Sequence, residues 1–482
     1  MKMFEPRRLH PVAALLNFLR RLREILIPVV LFLIIGGGGE DRLFNLIYII
    51  VLGMTIFLLL IGGILHWYRY TYRIEDGELR IEYGIFVRKK RYIPFERIQT
   101  IDVSSGIIQR IFGLVKVQVE TAGGGMEAEA VLTAITERKA EELGAIIKTQ
   151  KTHANESQLE VEENEQRYNI SLKELLIASS TSGGIGIVLS GLIAFITQVD
   201  ELIPYDLVID QVEQFIRIGA IIFIVLLSGL ALLVAWVIGT VIVMLKYANF
   251  TLVKRDQELV VTRGLIERRQ LTIPLSRIQA IRVVENPLRQ LLGFATVHVE
   301  SAGGTVDKGE QFSTVLFPLI KRSQVGELLR QFVPEYEKVE SLRSVPKRAL
   351  PRYLVRTTIL FLPLLFSIFF TSWGYLSAVI IIFALFWGYL RYKDASWNVS
   401  GAQLVLRFRT VNRITVFMKR KRIQALEEQY SYFQRKRELA TIKASIRSSI
   451  TGMNFSVIDI KKSDCERMMQ WYSHEKRETN SM

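Results

Sequence analysis

IPFERIQTI, residues 93–101, returns as IPLSRIQAI at residues 273–281. The two stretches are the centre of a longer repeat, in which Gly84–Gly124 aligns with Gly264–Gly304 without a gap. The offset is constant at 180 residues, and 16 of the 41 aligned positions are identical. A repeat of this length at a fixed offset indicates a duplicated structural module. The chain is therefore predicted to be a tandem array of one module.

A third, diverged copy is predicted near the C-terminus. Arg422–Leu426 (RIQAL) resembles Arg277–Ile281 (RIQAI), and Lys419 takes the place of the proline. The Ala-Gly-Gly segment that closes the first two copies is missing, and Ser448–Gly452 is its nearest substitute. The residues that define the repeat are Pro94, Arg97, Gln99, Pro274, Arg277, Gln279, Arg422 and Gln424.

Each copy is rich in β-type runs broken by turn residues, and each ends in a helical pattern. The predicted strands are 72–74, 79–83, 86–93, 98–103, 115–121 and 129–133 in the first copy, and 397–399, 404–409 and 415–418 in the third. The predicted closing helices are Thr136–Lys148, Leu319–Phe332 and Lys462–His474. Short antiparallel strands capped by one helix predict a small β-sandwich or a partly open barrel.

Apolar runs precede each copy in pairs. The six runs are Ile25–Gly39, Leu43–Leu65, Leu175–Thr197, Phe215–Leu245, Leu354–Thr371 and Gly374–Leu390. A membrane-spanning helix needs about 20 apolar residues, so the pattern predicts six transmembrane helices in three hairpins. The first run is marginal because it contains Pro28 and ends in four glycines. A re-entrant or interfacial segment is the alternative there.

Charge and hydrophobicity are segregated along the chain. It has a net charge of +15 although half of its residues are hydrophobic. Lysines and arginines flank the hairpins, whereas the tip of the second hairpin has five acidic residues and neither lysine nor arginine. This asymmetry predicts a multi-pass membrane protein, with both termini and all three modules in the cytoplasm. A single cysteine, Cys465, rules out an internal disulfide.

The predicted domain boundaries follow from these patterns. They are 1–65 (N-terminal segment and first hairpin), 66–150 (first module), 151–174 (acidic linker), 175–245 (second hairpin), 246–333 (second module), 334–353 (linker), 354–390 (third hairpin) and 391–482 (third module). The linker residues Lys151–Arg167 are polar and acidic, which predicts a flexible segment. Residues Pro334–Pro351 are predicted to play the same part before the third hairpin.

The arrangement resembles the YdbS/YdbT-like bacterial membrane proteins with PH-like domains, in particular the larger YdbT type with three such domains. The resemblance lies in Arg8–Pro11 (RLHP), the two Ile-Pro-x-x-Arg-Ile-Gln stretches and the two Ala-Gly-Gly segments. It implies a bent antiparallel β-sandwich with a C-terminal helix for each module. It also implies a small YdbS-type partner and a role in resistance to membrane-active peptides or envelope stress. It implies no enzymatic activity.

Basic clusters are the candidate binding residues. They are Arg88, Lys89, Lys90 and Arg91 in the first copy, Arg268 and Arg269 in the second, and Lys419, Arg420, Lys421 and Arg422 in the third. Each cluster is predicted to lie on the strand before the Arg-Ile-Gln stretch. Basic residues held near a bilayer attract anionic headgroups, so these residues are expected to bind lipid or a partner. The alternative is that they only enforce topology and solvate one sheet face.

The conserved spacing of arginine and glutamine in the three copies has two interpretations. Arg97, Arg277 and Arg422 are each followed by Ile-Gln, which suits either a turn between strands or a contact with a peptide or partner. The sequence has no P-loop, HExxH or CxxC pattern and no metal-ligand spacing among its five histidines. We therefore expect no catalytic site, metal, cofactor or nucleic-acid partner.

The sequence is compatible with two functions. The first is a non-enzymatic scaffold whose modules lie on the inner leaflet and bind anionic lipid, one another, a further copy of the chain or a small homologous partner. The second is a membrane component that moves lipid or peptide through the helical hairpins. For the second, small residues every four positions along one helix, namely Ser182, Gly186, Ser190 and Ala194, would provide a groove. The alternative is that this stripe only allows close packing between helices.

Overall fold

The structure is a computed structural model, and it describes residues 6–36, 42–121, 129–153, 165–183, 190, 219–301, 313–339, 341–366, 376–447 and 452–473. These residues belong to two compact units. One unit is 1–163 with 266–272 and 303–305, and the other is 164–265, 273–302 and 306–482. The first unit holds the first copy of the repeat, and the second unit holds the third copy and most of the second.

The three copies have the same order of elements. The first copy is β1 Arg7–Arg8, α1 Val12–Gly36, α2 Arg42–Arg69, β2 Thr71–Glu75, β3 Glu78–Tyr83, β4 Lys89–Pro94, β5 Ile98–Ser105, α3 Ile107–Ile111, β6 Leu114–Thr121, β7 Ala130–Thr136 and α4 Glu137–His153. The second is β8 Gln166–Asn169, α5 Leu172–Ser180, α6 Gly219–Tyr247, β9 Thr251–Arg255, β10 Glu258–Arg263, β11 Arg268–Pro274, β12 Ile278–Glu285, α7 Pro287–Leu292, β13 Phe294–Ser301, β14 Thr314–Lys321 and α8 Val325–Phe332. The third is β15 Arg343–Ser344, α9 Leu350–Thr358, α10 Leu376–Asp394, β16 Ser396–Ser400, β17 Gln403–Arg409, β18 Arg413–Lys419, β19 Ile423–Gln429, α11 Tyr432–Lys436, β20 Leu439–Ile446, β21 Met453–Lys461 and α12 Lys462–Ser473.

A short strand before each hairpin pairs with the strand that follows the hairpin. Strand β1 pairs with β2, β8 with β9, and β15 with β16, all antiparallel. The prediction of plain linkers is therefore wrong in part, because Gln166–Asn169 and Arg343–Ser344 are strands and α4 continues to His153. These strands are two to four residues long, too short for a period-two pattern. Pairing fixes both ends of the hairpin to its module.

Two sheets form each module. In the first unit, β1–β4 make one sheet in chain order, and β5–β7 belong to a second sheet, in which β5 also pairs with residues 268–271. The turn between β2 and β3 has Asp76 and Gly77 at φ 52° and 74°. Positive φ at both central residues is the geometry that matches the twist of a two-residue hairpin, and Asp-Gly is a preferred sequence for it.

The core of the first module lies between its two sheets and under helix α4. Its members are side chains with almost no exposed area, among them Leu79, Ile81, Val117, Val119, Leu132 and Ile147. Alternate residues of β3 are buried, as the period of two requires when one face of a sheet is covered. The third module repeats this arrangement in the second unit, where Trp397, Leu404, Ile442 and Met468 are buried in one cluster.

Several predicted elements differ from the structure at their ends. The closing helix of the second copy begins at Val325, because Leu319–Lys321 completes strand β14. The strand predicted at 86–93 begins only at Lys89. Short apolar runs suit strand and helix alike, which explains the first error. The short helices α3, α7 and α11 were not predicted, since five or six residues carry too little periodicity.

Two of the described helices are long and apolar enough to cross a membrane, Tyr48–Arg69 and Ser228–Tyr247. Almost all of their side chains face outward, although the mean hydropathy is 2.6 and 2.4. An apolar surface of this size is unfavourable in water but suits a lipid environment. The apolar runs at 175–197 and 354–371 extend beyond the described residues, as does the small-residue stripe at Gly186 and Ala194. The prediction of six spans therefore remains a prediction.

Candidate functional site

Successive copies are joined by antiparallel strand pairing. In the first unit, β5 pairs with residues 268–271, with Arg268 opposite Ser105 and Leu271 opposite Asp102. In the second unit, β12 pairs with β18, with Arg413 opposite Glu285. Aligning the third copy on the second at an offset of 145 residues makes Arg413 the equivalent of Arg268, and Glu285 is the equivalent of Ser105. Both joints therefore have the same register.

Buried ion pairs lie in both joints. In the first, Arg269 Nε donates to Asp102 Oδ2 at 2.9 Å, and Asp102 is only 1% exposed. In the second, Arg413 donates to Glu285 and lies 3.5 Å from Asp394, which also accepts from Arg409. Such pairs are hydrogen-bonded as well as oppositely charged, and removing one partner leaves an uncompensated buried charge.

The predicted basic clusters do not share one location. Arg268 and Arg269 lie in the first joint. Lys89, Lys90 and Arg91 lie exposed on β4, and Arg88 precedes that strand. The third cluster was placed wrongly. Lys419 ends β18, while Arg420, Lys421 and Arg422 form a 3-10 turn, and the residue equivalent to Arg88 and Arg268 is Arg413.

The third cluster has partners within its own unit. Lys421 pairs with Glu335 at 3.3 Å, and Arg420 donates to the carbonyl of Tyr472. Lys419 lies over the ring of Tyr336. Because these basic side chains contact other groups of the same unit, the turn has a structural role in the module.

The repeat-defining residues surround the turn before β5 and its equivalents. Arg97, Arg277 and Arg422 each end a three-residue 3-10 turn, and Pro94, Pro274 and Lys419 each precede one. Gln279 donates to the carbonyl of Arg277 at 3.0 Å, whereas Gln424 is exposed. The side chain of Gln99 lies outside the described residues.

Two of these arginines come together in the second unit. Burial lowers the pKa of Arg277, and the neighbouring charges of Arg447 and Arg422 lower it further. Arg277 therefore lies close enough to Arg447 and Arg422 for both charges to act on it, and the three residues mark a basic region. This region contains residues of both the second and the third copy, so it could not be predicted from either motif alone.

Each short helix exposes large apolar side chains. In α3, Ile111 is 73% exposed; in α7, Leu291 is 85% exposed; in α11, Tyr432 and Phe433 are 76% and 69% exposed. The helices end at equivalent left-handed positions, Gly113, Gly293 and Glu438. All three diverged copies expose large apolar residues on this short helix, which separates the feature from scattered surface hydrophobics.

The first helix of each hairpin lies against its module close to the short helix. In the second copy, Asn286, the N-cap of α7, donates to the carbonyl of Thr181 at the end of α5. In the third, Tyr353 of α9 donates to the carbonyl of Ile458 at 2.7 Å. In the first, the amide of His10, just before α1, donates to the carbonyl of Ala134 at 3.0 Å. In the second copy the short helix therefore lies where the chain passes from module to hairpin, and in the third Asp459 accepts from both Gln434 of α11 and Arg352 of α9.

A cavity of about 220 Å³ lies at this junction in the second copy. Arg289 of α7 lines it and donates to Ala178 O at 2.6 Å and to Thr181 Oγ1 at 2.9 Å. It also donates to Thr296 and to the carbonyl of Pro318. Burial lowers the pKa of Arg289 to about 10, so it is protonated at neutral pH. Among the described residues that line the cavity none is acidic, so the cavity is positively charged.

The third copy has an equivalent cavity of about 410 Å³. Gln434, at the position of Arg289, lines it together with Arg352 and Arg356 of α9 and Lys443. Arg352 and Arg356 both donate to the fully buried Asp459, at 2.9 and 3.1 Å. Two arginines against one carboxylate leave a net positive charge at the junction.

The first copy also has cations at this position. Lys116 is the equivalent of Thr296, and its pKa is lowered by burial and then by the charge of Arg20 on α1. Gln109 is the equivalent of Arg289 and donates to the carbonyl of Thr133 at 2.9 Å. The sequence contains a weak signal for this site. Residues Gly106, Asn286 and Ser431 are turn or cap types three positions before Gln109, Arg289 and Gln434, as an N-cap requires.

Three segments of the chain, residues 25–151, 207–334 and 355–476, match the family model of the bacterial PH domain. The chain is also 42% identical to the UPF0699 transmembrane protein YdbT of Bacillus subtilis (strain 168), over 98% of its own length and 99% of that protein. Neither description names an enzymatic activity. The predicted resemblance and the assignment of the third, diverged copy are both confirmed.

Proposed function

Because this chain belongs to the bacterial PH domain family and is a membrane protein, we propose that it is a non-enzymatic scaffold whose three modules lie on the inner leaflet. The exposed apolar residues of α3, α7 and α11 enter the interface, and the basic junction cavities hold phosphate groups of anionic lipids. The modules and both termini are cytoplasmic, and the hairpins cross the bilayer.

One observation carries the proposal. Each copy places an apolar short helix beside a basic junction with its hairpin, as shown by Leu291 with Arg289 and by Phe433 with Arg352 and Arg356. Apolar residues that enter the interface and cations that meet headgroup phosphates are complementary features of membrane-surface binding. The joints between copies hold successive modules in one register, which suits a scaffold better than independent binding domains.

Spin labelling tests the interfacial position directly. A nitroxide on Leu291→Cys, in a Cys465→Ala background, is expected to collide readily with oxygen and poorly with a water-soluble nickel complex in phosphatidylglycerol-containing vesicles. Glu327→Cys, on the exposed face of helix α8, is the matched control and should show the opposite order. Equal nickel accessibility at both positions would exclude an interfacial α7.

The proposed physiological role is envelope protection together with a small YdbS-like partner. Deletion of the gene, alone and with a neighbouring YdbS-like gene, should sensitise cells to a subset of membrane-active peptides, and the wild-type chain should restore survival. Alanine variants of residues 88–91 and 419–422 test the predicted clusters. Unchanged lipid binding, partner binding and survival in both variants would remove these clusters from the function.

A lipid- or peptide-moving component is the alternative function. It is favoured by the apolar helices and by the stripe of small residues that begins at Ser182. Reconstitution in vesicles with labelled lipid or peptide separates the two, since a scaffold moves neither. Bulky substitutions at Ser182, Gly186 and Ser190 should abolish movement only if the stripe is a path.

A further inference from the structure

Among the terminal strands in the described part of the chain, two lack a partner although their equivalents in other copies have one. Strand β4 is the last strand of its four-stranded sheet, and β19 is the first of its three-stranded sheet. In the second and third copies, the equivalents of β4 are β11 and β18, and both pair with the preceding copy. In the first and second copies, the equivalents of β19 are β5 and β12, and both pair with the following copy. The first copy thus keeps an unpaired β4 edge, of the kind that pairs with a preceding copy. The third keeps an unpaired β19 edge, of the kind that pairs with a following copy.

The register of the two existing joints predicts how these edges would pair. In the two joints, Gln270 lies opposite Val103, and Thr415 lies opposite Val283. Lys90 is the first-copy equivalent of Gln270 and Thr415, and Glu428 is the third-copy equivalent of Val103 and Val283. The same register would therefore place Lys90 opposite Glu428. Leu271 lies opposite Asp102 and Val416 opposite Arg282, and their equivalents place Arg91 opposite Glu427. Opposite charges face each other at both positions, which stabilises a cross-strand pair.

The next positions and the diagonal contact agree with this register. Tyr92 would face Leu426, a partly exposed aromatic against an apolar side chain. The diagonal pair Arg269–Asp102 of the first joint has Lys89 and Glu427 as its equivalents. The register derives from the backbone pairing alone, so the charge match is an independent observation.

We propose that β4 of one chain pairs with β19 of a second copy, in the register of the two internal joints. The chain is then a three-module segment of a longer head-to-tail array. A heterologous contact of this type closes into a ring or continues as an open filament.

The exposure of β4 and an unsatisfied carboxylate oxygen on β19 support this occupant. On pairing, Lys90 would exchange its contact with Glu82 at 3.8 Å, and Glu427 its contact with Lys443 at 3.4 Å. Lys89, Lys90, Arg91 and Tyr92 are all exposed. Glu428 Oε1 is buried without a hydrogen-bond partner in the described part of the chain, and burial and the charge of Glu466 raise the pKa of Glu428. An unpaired edge strand is a template for another strand, and a nearby lysine would satisfy this carboxylate.

A tyrosine contact at the start of β19 has an equivalent in a copy that forms the joint. Tyr472 donates to the carbonyl of Ile423 at 3.0 Å, just before the pairing region. The equivalent bond from Tyr336 to Ile278 is present in the second copy, where the joint is formed. The same contact is therefore compatible with pairing.

Cysteine cross-linking in native membranes tests the register. Two differently tagged full-length chains in a Cys465→Ala background are coexpressed, one with Lys90→Cys or Arg91→Cys and the other with Glu428→Cys or Glu427→Cys. After isolated membranes are oxidised with copper phenanthroline, disulfide-linked dimers are expected for Lys90→Cys with Glu428→Cys and for Arg91→Cys with Glu427→Cys. The crossed combinations are the matched controls, because they place the two thiols on opposite faces.

Several outcomes would overturn the proposal. These are equal yields from all four combinations, absence of any linked dimer, and a product that links β4 only to a different protein such as a single-module chain. If lipid alone covers β4, no linked dimer should form. That result would favour the alternative that residues 88–91 bind lipid headgroups.

Charge reversal gives a second, independent test. Lys90→Glu with Arg91→Glu should lower the fraction of chains in assemblies by about tenfold, measured by single-molecule photobleaching of a labelled chain in membranes. Glu427→Lys with Glu428→Lys should do the same, and the chain with all four changes should assemble again. Failure of the fourfold variant to assemble, while both twofold variants remain folded, would contradict pairing at this register.

Discussion

Arg269 Nε donates to Asp102 Oδ2 over 2.9 Å, although the two residues lie 167 positions apart in the chain. The contact joins the fifth strand of the first copy to a strand of the second, and both side chains are largely buried. A duplicated module is thus connected through its backbone edges and not only through the covalent linker. Charge at the joint then selects the register that the backbone hydrogen bonds stabilise.

Replacing Asp102 by alanine should destabilise the first unit by about 3 kcal/mol, because Arg269 then remains a partly buried cation without its carboxylate. Thermal unfolding of the purified chain in detergent measures the change. Glu165→Ala removes an exposed ion pair with Arg255 at 2.7 Å and should cost under about 0.5 kcal/mol.

The double variant Asp102→Leu/Arg269→Met separates charge from packing. It should recover most of the stability that Asp102→Ala loses, since an apolar pair leaves no uncompensated charge. Equal stability of Asp102→Ala and the wild type would show that water or other protein groups solvate Arg269 well enough without Asp102.

Much of the module could be predicted from the sequence, because repetition reveals equivalent positions. The Arg-Ile-Gln stretches identified the turns before β5, β12 and β19, and alternation identified strands such as Glu78–Tyr83. The pairing of one copy with the next could not be predicted, since period-two patterns do not show which edge a strand pairs with. The third basic cluster was misplaced because Lys419 takes the position of the proline, so that Arg420–Arg422 form the turn and not the strand, and Arg413 was overlooked.

The junction site was harder to predict, because its chemistry changes among the copies. Arg289 is replaced by Gln109 and Gln434, and the missing charge is supplied from the hairpin helix in the third copy, by Arg352 and Arg356. A motif search looks for one residue type at one position. In this site the positive charge is retained, but a different residue carries it in each copy. Such a site can be recognised only from the three-dimensional structure.

Glu300 should make the second unit less stable as pH rises. Burial raises the pKa of Glu300 to about 7, and the charge of Arg282, 2.9 Å away, offsets only part of this effect. The folded state therefore binds the proton more tightly than the unfolded state, whose glutamate has an ordinary pKa near 4.5. Its contribution to the free energy of unfolding should fall between about pH 4.5 and 7, by up to about 3 kcal/mol.

Glu300→Gln should remove this pH dependence and stabilise the chain at pH 8 relative to the wild type, with little change at pH 4.5. Thermal unfolding across this pH range provides the measurement. Glu327→Gln, on the exposed surface of α8, should leave the pH profile as it is. A wild-type profile without a decline above pH 5 would mean that Arg282 fully compensates for burial.

Gly388 should tolerate no large side chain, because helix α10 approaches α9 there. A Cβ at this position would lie 2.3 Å from Thr357 Oγ1 and 3.1 Å from the carbonyl oxygen of Tyr353. Gly388→Leu should therefore destabilise the third hairpin by about 1–3 kcal/mol, the usual cost of overpacking. Gly229→Leu on α6 is the control, since nothing lies within 4 Å of its added Cβ. Equal thermal stability of the two variants would contradict the described α9–α10 contact.

Arg289→Gln should weaken anionic lipid binding at the second junction while keeping the module folded. Gln109 and Gln434 occupy the equivalent positions, so a glutamine fits this site and can still reach the carbonyl of Pro318. The variant loses the positive charge and the bond to Ala178. Native mass spectrometry of the detergent-solubilised chain should therefore detect fewer retained phosphatidylglycerol molecules. Arg330→Gln removes an exposed arginine of α8 and should retain the wild-type number. Unchanged retention in Arg289→Gln, with thermal unfolding unaltered, would show that the cavity does not hold the lipid phosphate.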